Sequence, residues 1–203
     1  MSAAEEIQPV NARLVFWQAY DPAVKVDLSS HALLTDEGWL LIDPIPLEEG
    51  LLEELQARKN IAAIILTSAN HERASAVFKK KCGVPVIAHR EAAASLAIAP
   101  DQLLDDGSSI HGLAVIHLPG FAPGEIALHL PAHGGLMIMG DALINLQPDG
   151  LRILPHKYCA DPKAASKSLQ KLLQFPFESM TFAHGLPIVG GARGQLLQIL
   201  QRN

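Results

Sequence analysis

Short apolar runs alternate with amphipathic stretches along most of the chain. Trp39–Leu40–Leu41–Ile42 is uninterrupted and stops at Asp43–Pro44, since proline cannot extend a strand ladder and restricts the residue before it. Leu47, Leu51, Leu52 and Leu55 recur at helical spacing, with Glu48, Glu49, Glu53 and Glu54 on the opposite face, which predicts a helix over 47–59. Ile61 to Thr67 reads as a strand buried on both faces. A helix is expected over 72–82, with Lys79, Lys80 and Lys81 favoured by the dipole of its last turn and Gly83 as its stop. Val84 to Ala88 reads as a strand and Glu91 to Ile98 as a helix. Leu113 to Leu118, Ile126 to Leu130 and Leu136 to Met139 read as three more strands separated by turn residues. Asp161–Pro162 marks a helix start, with Asp as N-cap and Pro at the first helical position, and that helix is expected to run to about Gln174. A short strand over Ser179 to Ala183 and a last helix over Gln195 to Gln201 complete the pattern. The mixture predicts one layered α/β domain over residues 1–203, and leaves strand order open.

Composition narrows the function. Hydrophobic residues are 49% and charged residues 18% of the 203, a globular balance that excludes a disordered chain. The net charge of −5 offers no basic excess for a phosphate backbone, so no nucleic-acid partner is expected. No apolar run approaches the roughly 18 residues of a membrane span, and the polar, acidic stretch Met1 to Gln8 is unlike a secretory leader. Cys82 and Cys159 lie far apart with no CxxC and read as reduced thiols of a cytoplasmic protein.

Three loops that follow apolar strands place ionisable groups on a rigid frame. They are Thr67–Ser68–Ala69–Asn70–His71–Glu72–Arg73, Gly140–Asp141–Ala142 and Ala183–His184–Gly185. No Walker loop, Gly-x-Ser-x-Gly elbow or His-Glu-x-x-His helix occurs. Gly190–Gly191–Ala192–Arg193–Gly194 reads as a loop before the last helix, with weak potential to hold an anion on backbone donors.

In order along the chain, Leu41–Ile42–Asp43–Pro44, Leu118–Pro119–Gly120–Phe121–Ala122–Pro123–Gly124–Glu125, Met139–Gly140–Asp141–Ala142–Leu143 and Ala183–His184–Gly185 resemble the signatures of the metallo-β-lactamase superfamily, over roughly residues 10–200. The resemblance implies an αββα four-layer sandwich. It also implies a metal centre built from a His-x-His-x-Asp-His motif, a turn histidine, the Gly-Asp aspartate and a closing histidine. Here the motif falls on Ser68 to Arg73, and Phe121 stands at the turn. All three imidazoles of the first metal site are therefore replaced, by Ser68, Asn70 and Phe121, which make no strong zinc site. For the second site Glu72, Asp141 and His184 remain, while Arg73 takes the last ligand position, where a guanidinium cannot ligate.

Two arrangements follow. Arg73 stands in for the charge of a metal by pairing with Glu72 or Asp141, or Glu72, Asp141 and His184, helped by His71, hold a single weak metal (zinc, manganese or iron). Function then divides between a hydrolase of a small molecule and a non-catalytic ligand-binding or scaffold protein. In the hydrolase, Glu72, Arg73, Asp141 and His184 are the catalytic candidates, with His184 or Glu72 as base and Arg73 holding an oxyanion. His71, Ser68, Asn70 and Phe121 are the candidates for substrate contact. Asp43 is expected to organise a loop or to stand behind the site, and His31, His89, His111, His117, His129, His133 and His156 read as ordinary surface or hydrogen-bonded histidines. An apolar surface near Phe16–Trp17 is a candidate for assembly.

Overall fold

The computed structural model describes residues 2–202. A seven-stranded sheet takes the first half of the chain in sequential order: β1 (Gln8–Pro9), β2 (Leu14–Asp21), β3 (Val26–Leu34), β4 (Trp39–Ile42), β5 (Ile61–Leu66), β6 (Val86–His89) and β7 (Gln102–Leu104). β1 to β4 are antiparallel neighbours, and β4 to β7 run parallel. Parallel neighbours need crossovers. These are α1 (Leu51–Arg58), α2 (Ser75–Cys82) and, before β7, a single short turn of helix at Ala93–Ser95. The second sheet comprises β8 (Ser109–Ile110), β9 (Leu113–His117), β10 (Ile126–Leu130) and β11 (Leu136–Met139). A small hairpin, β12 (Leu143–Leu146) and β13 (Gly150–Ile153), leads to α3 (Pro162–Leu169). α3 carries the chain to β14 (Ser179–Thr181), which joins β11 in parallel, and α4 (Ala192–Arg202) ends the fold.

Three core layers explain why the apolar runs are continuous. On β4, Leu40 and Ile42 face the second sheet and meet Val115, Leu128 and Ile138, while Trp39 and Leu41 face outward onto Leu52, Leu55 and Phe78 of the helices. Successive strand residues point to opposite faces, and both faces of this strand are covered. The second sheet repeats the arrangement, with Met137 and Met139 turned outward onto Leu169, Leu172 and Leu196. Helix, sheet, sheet and helix thus stack as an αββα sandwich.

Three segments depart from expectation. Only Ala93–Ser95 is helical within 91–98, because the Ala97 and Ile98 N–H groups donate to Oε2 of Glu72 rather than to a helical ladder. The long hairpin of β2 and β3 carries buried Ser29, Ser30 and His31, which break any apolar alternation. Phe16 and Trp17 lie within it at 5% and 1% exposure, so they offer no surface for assembly. The glycine-rich segment is shorter than expected: α4 starts at Ala192, and Gly191 N–H donates to Glu178 Oε2, so the chain's own carboxylate occupies that donor. Asp161 caps α3 as expected, accepting from Lys163 and Ala164 N–H. Cys82 and Cys159 are free thiols. Among the described residues no helix is long and apolar enough to cross a membrane.

Leu128 is fully buried between the sheets. Leu128→Ala is expected to lower stability by about 2–5 kcal/mol, read from the urea midpoint at unchanged slope.

Candidate functional site

The site grows from the ends of β4, β5, β11 and β14, which meet at one edge of the sandwich. Asp43 follows β4 with φ of 50°. Its Oδ1 accepts the Thr67 N–H at 2.8 Å, and its Oδ2 accepts the Thr67 hydroxyl. Thr67 follows β5, and a short helical turn capped by Ser68 then presents His71. Nδ1 of His71 stands 2.9 Å from Asp43 Oδ2, and its Nε2 stands 3.0 Å from Asp141 Oδ1. Asp141 follows β11, and the same Oδ1 receives Nε2 of His184 at 3.1 Å. His184 follows β14, and its Nδ1 lies 3.1 Å from the Asp27 carbonyl oxygen. Two imidazoles therefore converge on one carboxylate, each held from behind by an oxygen acceptor.

Burial sets the electrostatics. Burial alone lowers the His71 pKa, but the Asp141 and Asp43 carboxylates outweigh it and the charge of Arg73, and raise it to about 10. Burial resists ionisation of Asp141, yet His71 and His184 hold its carboxyl well below the usual range. Glu125 is the residue that sequence reasoning passed over. It is buried, its Oε1 accepts the Ala142 N–H at 2.9 Å, and its Oε2 has no partner among the described residues. Burial first, then the charge of Asp141, pushes its pKa to about 8, so it stays protonated at neutrality. The tight turn at Gly140 accommodates it, since a Cβ there would lie 2.5 Å from Glu125 Oε1 and 2.7 Å from Thr67 Oγ1.

Arg73, with φ of 44°, pairs through its guanidinium with no carboxylate among the described residues. It donates to the carbonyls of Ser29 (2.6 Å), Asp43 (3.0 Å) and Ala183 (3.3 Å). It therefore clamps β3 to the loops after β4 and β14 instead of forking onto Glu72 or Asp141. Glu72 is turned to the N–H groups of Ala97 and Ile98, away from the pair it was expected to join. His71 takes its place: the ligand atoms of His71, Asp141 and His184 lie within 4.8 Å of one another. Ser68 is buried as a cap, and Phe121 is 1% exposed in the outer core, so neither meets the cleft. Asn70 does line it, with Asp141 and His184. The cleft is a cavity of about 580 Å³ whose other walls include Val24, Val26, Ile144, Leu146, Leu154 and Tyr158. Asp43 organises the loop as expected.

The donor set suits a divalent ion. Two imidazoles and a carboxylate are the minimum protein set for a catalytic site. A His71 Nδ1–H on Asp43 and a His184 Nδ1–H on the Asp27 carbonyl would leave both Nε2 atoms to ligate, the outer-shell pattern that orients metal-binding histidines.

A family model described as metallo-beta-lactamase superfamily matches residues 10–196. No curated protein matches the chain. Among solved structures, a metallo-beta-lactamase from Pontibacter korlensis is 20% identical, with 98% of this chain and 99% of that one covered and a TM-score of 0.76. TTHA1623, solved in a di-iron-bound form, is 30% identical, with 86% and 94% covered and a TM-score of 0.66. A metallo-beta-lactamase from Hirschia baltica is 15% identical, with 98% of each chain covered and a TM-score of 0.76.

Two outcomes are expected. The folded chain keeps the Glu125 proton that the unfolded chain loses above pH 4.5, so this contribution is full below that pH and is lost as pH rises through about 8. Urea midpoints of wild type and Glu125→Gln, compared across that window, should therefore diverge, with the wild type falling relative to the variant. Arg73→Met removes three charged hydrogen bonds from a buried position and should cost more than about 2 kcal/mol by the same measurement.

Proposed function

The chain belongs to the metallo-beta-lactamase superfamily, and from that premise we propose that it is a hydrolase acting on a small molecule with an apolar arm, using one divalent metal. The observation that carries this reading is the convergence of His71 and His184 on Asp141 at the mouth of an apolar cleft. The TTHA1623 structure in its di-iron-bound form supports metal use by a 30% identical relative. A single ion is the reading here because the residues at the other metal's positions, Ser68, Asn70 and Phe121, are a cap, an amide and a core side chain.

A divalent ion held by His71, Asp141 and His184 would polarise a scissile carbonyl and lower the pKa of water. The chain's own residues do the rest. Asp43 and the Asp27 carbonyl keep the two rings aimed inward. Asp141, kept ionised by its two histidines, holds both rings at Oδ1 and offers Oδ2 as a hydrogen-bond acceptor that orients the attacking water. The apolar walls around Val24, Ile144 and Tyr158 exclude water from the substrate's arm. Arg73 and Glu72 hold backbone, so neither serves as oxyanion donor or base in this reading.

The test is elemental analysis of the purified protein together with turnover of ester, thioester, lactone and phosphodiester substrates, with and without zinc, manganese or iron. Metal-dependent turnover is expected, reduced on the order of 100-fold or more in Asp141→Asn. His184→Ala should lose the cleft metal. If no substrate turns over and no metal binds the cleft while small ligands still raise Tm, the chain is a binding protein and the hydrolase reading falls.

A further inference from the structure

The fold gathers a second set of donors that shares no residue with the cleft. His89 ends β6, Glu91 follows it, and His117 ends β9 on the opposite sheet. Their ligand atoms all lie within 4.8 Å of one another. Nε2 of His117 stands 3.4 Å from Glu91 Oε2. The two imidazole rings stack with centroids 4.1 Å apart and planes 20° from parallel. His89 is buried, the His117 side chain is 13% exposed, and the Glu91 side chain, at 62%, reaches solvent.

We propose that His89, Glu91 and His117 bind a divalent transition cation of the zinc type, at a site separate from the cleft. Two imidazoles and one carboxylate favour zinc, cobalt or nickel over magnesium or calcium, which prefer all-oxygen shells. Three protein donors leave a coordination position open on the solvent side of Glu91. The 3.4 Å contact between Glu91, whose side chain reaches solvent, and His117 contributes little and gives no reason for a buried histidine stacked on it. Binding needs the rings to tilt from near-parallel so that both lone pairs meet one ion. The hydrogen bond that Nδ1 of His89 accepts from the Glu91 N–H is long, at 3.3 Å, and yields to that movement. Asp105 and Asp106 stand nearby but are held by Arg90 and Lys171, so they are not counted as donors.

The position gives the ion a structural consequence. It ties β6 of one sheet to β9 of the other. It also adjoins the turn over 118–125, where a Cβ on Gly124 would lie 2.5 Å from Ala92 N. That turn carries Ala122, which lines the cleft, so occupancy ties down one wall of the cleft without entering it.

The test uses the full chain with its cleft disabled by Asp141→Asn and His184→Ala. This protein is titrated with zinc ion alone by calorimetry, with circular dichroism confirming the fold. One zinc equivalent is expected to remain and to raise Tm. Adding His117→Gln should abolish it, and adding Glu91→Gln should weaken it at least about tenfold. Glu91 is exposed, so its variant keeps the test open if His117→Gln does not fold. Absence of zinc binding in the cleft-disabled protein overturns the proposal, as does binding unchanged by either added substitution. Loss of zinc from the cleft alone, seen as the difference between wild type and the disabled protein, bears on the hydrolase reading and not on this one.

Discussion

Burying a carboxylate is unfavourable by several kcal/mol unless its oxygens are satisfied, and Asp43 is such a carboxylate. The arrangement of the candidate site follows from how that demand is met. Its side chain takes the Thr67 N–H, the Thr67 hydroxyl and the His71 ring, while its carbonyl takes the Ser30 hydroxyl and the Arg73 guanidinium. One residue thereby ties β3, the end of β4, the end of β5 and the loop before α2. His71 is aimed at Asp141 because its other nitrogen is held by Asp43. The left-handed backbone at Asp43 and Arg73 is kept in place by these same bonds.

Charge balance explains why so many ionisable groups tolerate one buried corner. His71 and Arg73 carry two positive charges against the two carboxylates of Asp43 and Asp141. Glu125 adds none because it keeps its proton. Arg73 offsets charge at a distance while its donors go to carbonyls, so the carboxylates stay free to face histidines. That separates the residue's electrostatic effect from its contacts, and it leaves Asp141 available to the cleft.

The edge of the sandwich at which β4, β5, β6, β11 and β14 end holds both donor clusters. Parallel strands released into loops at one edge bring residues distant in sequence to one place, as in other layered α/β folds. His71, Asp141 and His184 gather at one point there, and His89 and His117 at another, each pairing one sheet with the other.

The apolar runs at 39–42, 61–67, 113–118, 126–130 and 136–139, the Asp161–Pro162 helix start and the Gly83 stop were legible because strand and helix periodicity and capping are local properties. So were the Gly-Asp and His-Gly strand ends that supply Asp141 and His184. The hairpin of β2 and β3 was not legible, since Ser29, Ser30 and His31 are buried by partners elsewhere in the chain. Glu72 and His71 exchanged roles for the same kind of reason. Adjacent residues on a turn point in different directions, and only the packing of the 97–98 loop draws Glu72 away while Asp43 draws His71 in. Glu125 and the His89–Glu91–His117 group carry no local signal, because their burial and proximity arise when two sheets close face to face. The chain's own pattern thus determined the layers and most of the loops that could bear chemistry. Tertiary structure alone decided which side chains in those loops meet, because hydrogen-bond partners and dielectric surroundings exist only once distant strands are packed together.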